Sequence, residues 1–191
     1  MDYLIIAAIS YLLGSIPFGL LLTNLFLKKD IREIGSGNIG ATNALRAGNK
    51  FIGYTTLLLD IFKAVLPVVY VKLNYPDFVY VSSLSVFLGH VFPLWLKFKG
   101  GKGVATYVGI LFSLNFIYGL VFGITWIIIF LISKYSSLSS LIASLSIPIY
   151  LFISGKNQII FFGIMFVLIF YTHRENIKRL KNKEESKTKI Y

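Results

Sequence analysis

Long apolar runs alternate with short polar segments along the whole chain. No charge interrupts the run from Tyr3 to Leu27, and at about 1.5 Å per residue it is long enough to cross a hydrocarbon core of about 30 Å. A polar, glycine-bearing stretch from Lys28 to Lys50 follows, and Phe51 to Leu73 is then apolar apart from Asp60, Lys63 and, at its end, Lys72. After the turn at Asn74-Tyr75-Pro76-Asp77 comes a third run, Phe78 to Leu96, closed by Lys97-Phe98-Lys99-Gly100-Gly101-Lys102-Gly103. Val104 to Ser133 is long for one crossing and short for two, with Ser113-Leu114-Asn115 as its polar break; Ser137 to Ser154 and Gln158 to Thr172 complete the pattern.

Charge placement resolves the ambiguous run. The first polar loop carries Lys28, Lys29, Arg32, Arg46 and Lys50, the second Lys97, Lys99 and Lys102, and the tail Arg174, Lys178, Arg179, Lys181, Lys183, Lys187 and Lys189. Basic loops stay in the cytoplasm, so an even number of crossings must follow Lys102, and splitting Val104 to Ser133 near Asn115 provides it. The expectation is an all-α polytopic membrane protein of seven transmembrane helices, with an outside amino terminus, Gly-rich cytoplasmic loops and one integral-membrane domain over residues 1–191. Five crossings with re-entrant pieces stay open, because the later runs are short. The first run is too long for the apolar core of a signal peptide and reads as a retained helix.

Composition agrees: 56% of the 191 residues are hydrophobic and 14% charged, with a mean hydropathy of +0.75, which leaves too little polar surface to wrap a soluble core. A net charge of +11 would ordinarily raise nucleic-acid binding. Here the cations sit in loops between apolar runs, which suits membrane lipids and phosphate-bearing substrates instead, with no nucleic acid as partner. The chain has no Cys, so disulfides and thiolate chemistry are excluded. Two histidines without a carboxylate cluster predict no metal site.

The polar segments hold the candidate chemistry. Gly35-Ser36-Gly37-Asn38-Ile39-Gly40-Ala41-Thr42-Asn43-Ala44-Leu45-Arg46 interleaves glycines with small hydrogen-bonding side chains and closes on an arginine. Glycines permit backbone N–H groups to converge on an anion, although a flexible linker would look similar over Gly35 to Asn38. The bare G-x-G-x-x-G match is not a dinucleotide fingerprint, since a membrane run precedes it where a strand is required. Gly100-Gly101-Lys102-Gly103-Val104-Ala105-Thr106 places a lysine among glycines at a helix start; Leu96 and Gly103 stand where a Walker A loop needs Gly and Ser or Thr. His173 and Asn176 share an i, i+3 face in His173-Arg174-Glu175-Asn176. His90 lies at the cytoplasmic end of the third run, and Asp60 with Lys63 reads either as mutual charge compensation or as pocket lining. The H-x4-D pattern of many acyltransferases is absent, with Trp95 and Lys178 in the aspartate positions.

In their order these segments resemble the bacterial acyl-phosphate:glycerol-3-phosphate acyltransferase family known as PlsY. The resemblance is carried by Gly14-Ser15-Ile16-Pro17-Phe18-Gly19, Gly35 to Arg46, Asp60-Ile61-Phe62-Lys63, Gly89-His90 through Phe92-Pro93 to Thr106, and His173 to Leu180. Ala64 and Lys181-Asn182-Lys183-Glu184-Glu185 depart from the usual pattern, with Glu185 as the counterpart of the family's last glutamate. The resemblance implies seven membrane helices and acyl transfer from acyl phosphate to the 1-hydroxyl of glycerol 3-phosphate, giving lysophosphatidic acid and phosphate without metal or coenzyme. It implies catalytic roles for Ser36, Arg46, His90, Lys102, His173 and Asn176. Substrate binding falls to Gly35, Gly37, Asn38, Gly40, Thr42, Asn43, Gly100, Gly101, Gly103 and Thr106. A monomer in the bacterial inner membrane is expected, its active site facing the cytoplasm. A phospholipid or phosphate-ester transporter is the rival reading.

Overall fold

Pro17 divides the first apolar run. In the computed structural model, which describes residues 2–47 and 49–188, α1 spans Asp2–Gly14 and α2 Phe18–Leu27, because proline has no N–H to give a helix and disfavours the α conformation in the residue before it. After a 3-10 turn at Ile31–Glu33 follow the short α3 (Ala41–Arg46), the 25-residue α4 (Lys50–Asn74), α5 (Val79–Val91) and α6 (Val104–Leu114). These form one compact unit, which ends at Leu114. A second begins at Asn115 and contains α7 (Phe116–Ser133), α8 (Ser136–Ile153), α9 (Ile159–Thr172) and α10 (Arg174–Lys181). No strand occurs among the described residues; Lys189, counted with the basic tail, lies outside them.

The expected break near Asn115 is where α6 ends and α7 begins. The Asn115 side chain caps α7 by accepting the Ile117 N–H at 2.8 Å. Lys72 donates to the Ser113 and Leu114 carbonyls at 2.8 and 2.9 Å, placing a cation on the carbonyl end of α6.

Within the first unit, small residues let backbones meet. A Cβ on Gly14 would strike the Val86 carbonyl and one on Gly89 the Tyr11 carbonyl, so α1 and α5 touch main chain to main chain. The hydroxyls of Ser10 and Ser82 bond across the same seam at 2.9 Å. Gly109 brings α6 equally close to α4, where a Cβ would lie 2.5 Å from the Ile61 carbonyl. The second unit uses a stripe of serines on α8: Ser137, Ser140 and Ser144 are buried, and Ser140 accepts the Trp126 indole N–H at 3.1 Å.

Much of the large apolar surface points outward; Leu73, Ile132, Phe152, Ile153 and Ile160 are all at least 74% exposed. That would be a liability in water and is what a lipid-facing wall requires. By length and apolarity four helical stretches are fit to cross: Asp2–Leu27, Pro76–Leu96, Phe116–Ser133 and Ser136–Ile153. A fifth is α9 with α10 if that pair, bent by 61°, counts as one. The all-helical architecture stands, whereas this measure yields four or five crossings where charge placement predicts seven.

Gly89→Ala should lower the thermal unfolding midpoint of the detergent-purified protein, because the backbone atom it strikes cannot rotate away; overpacking of this kind costs about 1–3 kcal/mol. Gly123→Ala, whose Cβ would meet nothing within 4 Å, should leave the midpoint unchanged or raise it.

Candidate active site

The first polar loop is an ordered element, anchored from below by apolar side chains. Ile31 and Ile39 insert into a cluster with Leu20, Ala44 and Ile52, against which Leu22, Leu27 and Leu96 pack. Gly35 and Gly37 have φ of +54° and +69°, a region other residues seldom adopt, and they reverse the chain between the two anchors. Asn43 then holds the loop: its amide donates to the carbonyls of Ile31, Ile34 and Asn38 at 2.8–3.0 Å, and its oxygen accepts the Ser36 N–H at 3.0 Å. Asn38 accepts the Gly40 N–H at 2.9 Å.

Asn43 is therefore buried and spent on the loop itself, while Ser36 and Gly37 are exposed and Thr42 and Arg46 half-buried. A Cβ on Gly35 would lie 3.4 Å from Arg46 Cδ, so the arginine lies beside the glycine turn. The structure gathers Gly35, Ser36, Asn43 and Arg46 into one rigid turn with a cation at its edge.

The second loop folds back over the end of α5. The N–H groups of Gly100 and Gly101 donate to the Val91 and His90 carbonyls, each at 3.0 Å. Expected as donors to a phosphate, these two are committed to α5. The glycines are needed here for closeness, since a Cβ on Gly101 would strike His90 Nε2 and one on Gly103 the Phe87 ring. Gly103 alone of the three has positive φ, +83°. Lys102 is half-buried and Thr106 fully buried at the start of α6. Leu96, packed on the Ile31 cluster, sets this loop beside the first.

Beneath these loops lies a polar knot that composition alone did not reveal. Lys63 Nζ sits 2.7 Å from Asp60 Oδ1 and donates to the Ile16 carbonyl at 2.7 Å, while His90 Nδ1 is 3.8 Å from Asp60 Oδ1. Trp95 Nε1 donates to the Ser15 carbonyl at 2.8 Å and the Tyr11 hydroxyl to the Phe92 carbonyl at 2.7 Å. The signal in the sequence was Pro17, since a helix broken inside a membrane leaves carbonyls that other side chains must satisfy.

In the second unit, His173 occupies the bend between α9 and α10, not the continuous helix face expected from its spacing to Asn176. Its Nδ1 bonds the Ile169 carbonyl at 2.8 Å. A carbonyl only accepts, so Nδ1 carries a proton, and when the ring is neutral the lone pair is on Nε2. Asn176 is buried and donates to Glu185 Oε1 at 2.7 Å; Ser137 reaches the same oxygen at 2.7 Å, and Arg179 Nε donates to Oε2 at 2.8 Å. Ser137 had no signature to find, being one serine among several on α8. Burial pushes the Glu185 carboxyl up, but the hydrogen bonds from Arg179, Ser137 and Asn176 outweigh it and hold the group below its ordinary value of 4.5.

An all-helical fold with a lipid-facing wall defines an integral membrane protein, and its loops set cations beside glycine turns. Comparison with known proteins gives the particular family. Residues 4–183 match the sequence profile described as glycerol-3-phosphate acyltransferase, and the chain belongs to that family. It is 75% identical over the full length of both chains to the glycerol-3-phosphate acyltransferase of Pelagibacter ubique (strain HTCC1062). The namesake from Brucella anthropi is 49% identical over 93% of this chain and 89% of its own. The crystal structure of PlsY (YgiH), an integral membrane glycerol 3-phosphate acyltransferase, superposes in its glycerol 3-phosphate form with a TM-score of 0.93, at 36% identity over 98% of this chain and 96% of that one. Its lysophosphatidic acid form gives 0.89, over 98% and 95%.

A carboxylate held below its ordinary pKa contributes stability that is present above the unfolded value and lost as pH falls through the folded one. Docking of the tail on Ser137 and Asn176 should therefore weaken on acidification below the ordinary glutamate range. Glu185→Gln should release the tail already at neutral pH and flatten that acid limb. The mobility of a spin label placed within residues 178–187, followed against pH, is the measurement.

Proposed function

We propose that the protein transfers a fatty acyl group from acyl phosphate to the 1-hydroxyl of glycerol 3-phosphate, releasing lysophosphatidic acid and inorganic phosphate. The observation that carries the reading is the full-length likeness to a family whose solved relative is described in a glycerol 3-phosphate form and a lysophosphatidic acid form. The loop geometry supports it with two cations, Arg46 and Lys102, each beside a glycine turn. The hydroxyl oxygen attacks the acyl carbon, the carbon–oxygen bond to phosphate breaks, and the hydroxyl proton leaves. An acyl phosphate is already an activated mixed anhydride, so placement and charge stabilisation do most of the work.

In this reading Ser36, Asn38 and Thr42 receive the donor's phosphate, with Arg46 stabilising the charge that grows as it leaves, while Gly37 and Gly40, whose N–H groups donate to the Ile34 carbonyl and to Asn38 Oδ1, shape the turn. Lys102 acts as a point charge for the phosphate of glycerol 3-phosphate. Asn43 contributes by fixing the first loop, and Gly100, Gly101 and His90 by fixing the second. The lone pair on His173 Nε2 is a candidate acceptor for the hydroxyl proton, the substrate phosphate being the alternative. Asn176 orients groups near it through its tie to Glu185.

Seven crossings and one domain suit this chemistry. The run through α1 and α2 counts as one, α4 crosses with Asp60 and Lys63 neutralising each other, and α5, α6, α7, α8 and α9 follow. The basic loops and tail then face the cytoplasm of a bacterial inner membrane, where the protein acts as a monomer.

Purified protein in lipid, given palmitoyl phosphate and radiolabelled glycerol 3-phosphate, should form lysophosphatidic acid; vesicle transport without product would favour a transporter. Ser36→Ala and Arg46→Ala should each lose about a hundred- to a thousandfold in turnover, the usual effect of removing one preorganised partner of a developing anion. Inorganic phosphate should inhibit the wild type and do so less in Ser36→Ala, and palmitoyl-CoA should serve poorly as donor. In His173→Ala, an unchanged acidic limb of the pH–rate profile would exclude His173 as the base.

A further inference from the structure

Asp60 and Lys63 pair in the interior with side chains only 3% exposed. Removing two charges from water costs several kcal/mol per ion, and an apolar pair of similar volume often serves stability equally well. Stability alone is thus a weak reason for this pair, and its surroundings supply a better one. Lys63 reaches the Ile16 carbonyl at 2.7 Å and lies 5.7 Å from the centre of the Phe18 ring, which fixes both sides of the break between α1 and α2. The Asp60 oxygen that meets Lys63 also lies 3.8 Å from His90 Nδ1, which is buried with no hydrogen-bond partner among the described residues. On its far edge the His90 ring is capped by Gly101, which leaves no room for even a Cβ above Nε2. The ring is a spacer clamped between a carboxylate and the loop that carries Lys102, and the Gly101 N–H bond to the His90 carbonyl ties loop and spacer together.

We propose that Asp60, with Lys63, is a positioning residue for acyl transfer: the pair holds the His90 ring against Gly101 and so sets where Lys102 stands relative to its substrate phosphate. This rests on the reading that Lys102 takes the phosphate of glycerol 3-phosphate. The pair works through His90 and touches no substrate. Its loss should appear in the affinity for one substrate, with the donor's loop unaffected.

The test is the double variant Asp60→Leu/Lys63→Met, which removes both charges while keeping volume, assayed in lipid nanodiscs beside Lys102→Ala. The folded double variant should raise KM for glycerol 3-phosphate about tenfold or more, as expected for a misplaced charged contact, with KM for palmitoyl phosphate within about twofold of wild type. A folded double variant whose KM for glycerol 3-phosphate stays within that twofold overturns the proposal. So does a fall in activity that only tracks the fraction of folded protein. If the double variant does not fold, Gly101→Ala presses on the same ring from the other side and is judged by the same split between the two KM values. Lys102→Ala with unchanged KM for glycerol 3-phosphate would instead remove the underlying reading of Lys102, and a wild-type protein that makes no lysophosphatidic acid would remove the acyltransferase reading itself.

Discussion

A helix that breaks inside a hydrocarbon layer must find partners for its freed carbonyls within the protein, because lipid offers none. The gap between α1 and α2 sets that requirement in the first unit, and much of the unit follows from it. The Ser15 carbonyl takes the Trp95 indole N–H and the Ile16 carbonyl takes the Lys63 ammonium. A lysine there needs a counter-ion, which is Asp60 one turn earlier on α4. Trp95 in turn belongs to the segment that leads into the second loop, so satisfying one broken helix fixes the base on which that loop stands. Glycines complete the arrangement: with Gly14 and Gly89 in the α1–α5 seam, the backbones come close enough for Tyr11 to reach the Phe92 carbonyl.

This constraint separates what the glycines do. In the first loop Gly35 and Gly37 supply backbone conformations that other residues reach only with strain. In the second, Gly100 and Gly101 supply nearness, and their N–H groups bond to α5. A glycine-rich string read as a phosphate nest treats both alike, since sequence does not say whether a missing side chain serves a torsion angle or a neighbour. The distinction matters chemically: the first loop keeps Ser36 exposed, whereas the second offers Lys102 on a rigid stem.

Much of the architecture was legible from the chain. Long apolar runs marked most of the helices, and Ser113-Leu114-Asn115 marked the break between α6 and α7, because Asn caps a helix through its own side chain. What the pattern missed was long-range pairing. Asp60 and Lys63 announce a pair through their i, i+3 spacing, but nothing local links them to Ile16, 47 positions from Lys63, or to His90. Glu185 sits in a charged tail that reads as solvated, and only the fold brings Ser137, Asn176 and Arg179 onto its two oxygens. The expected seven crossings rest on charge placement, whereas length and apolarity give four or five, and α6, only 11 residues long, falls outside that criterion.

The same device recurs at each group of candidate residues. A buried polar side chain takes up the main chain or a neighbouring segment, and the group available for chemistry stands next to it. Asn43 does this for the turn that ends at Arg46; in the loop that carries Lys102 the His90 main-chain carbonyl takes the Gly101 N–H, and the ring packs against that glycine. In the second unit the Asn176–Glu185 tie holds the first turn of α10, directly after His173. A flexible arginine or lysine loses side-chain entropy when it is held, about 1.5–2 kcal/mol on common scales, so fixing the backbone beneath it is an economical way to aim its charge without burying the charge itself. For an activated acyl donor of the kind proposed, aim is the main thing a protein has left to supply.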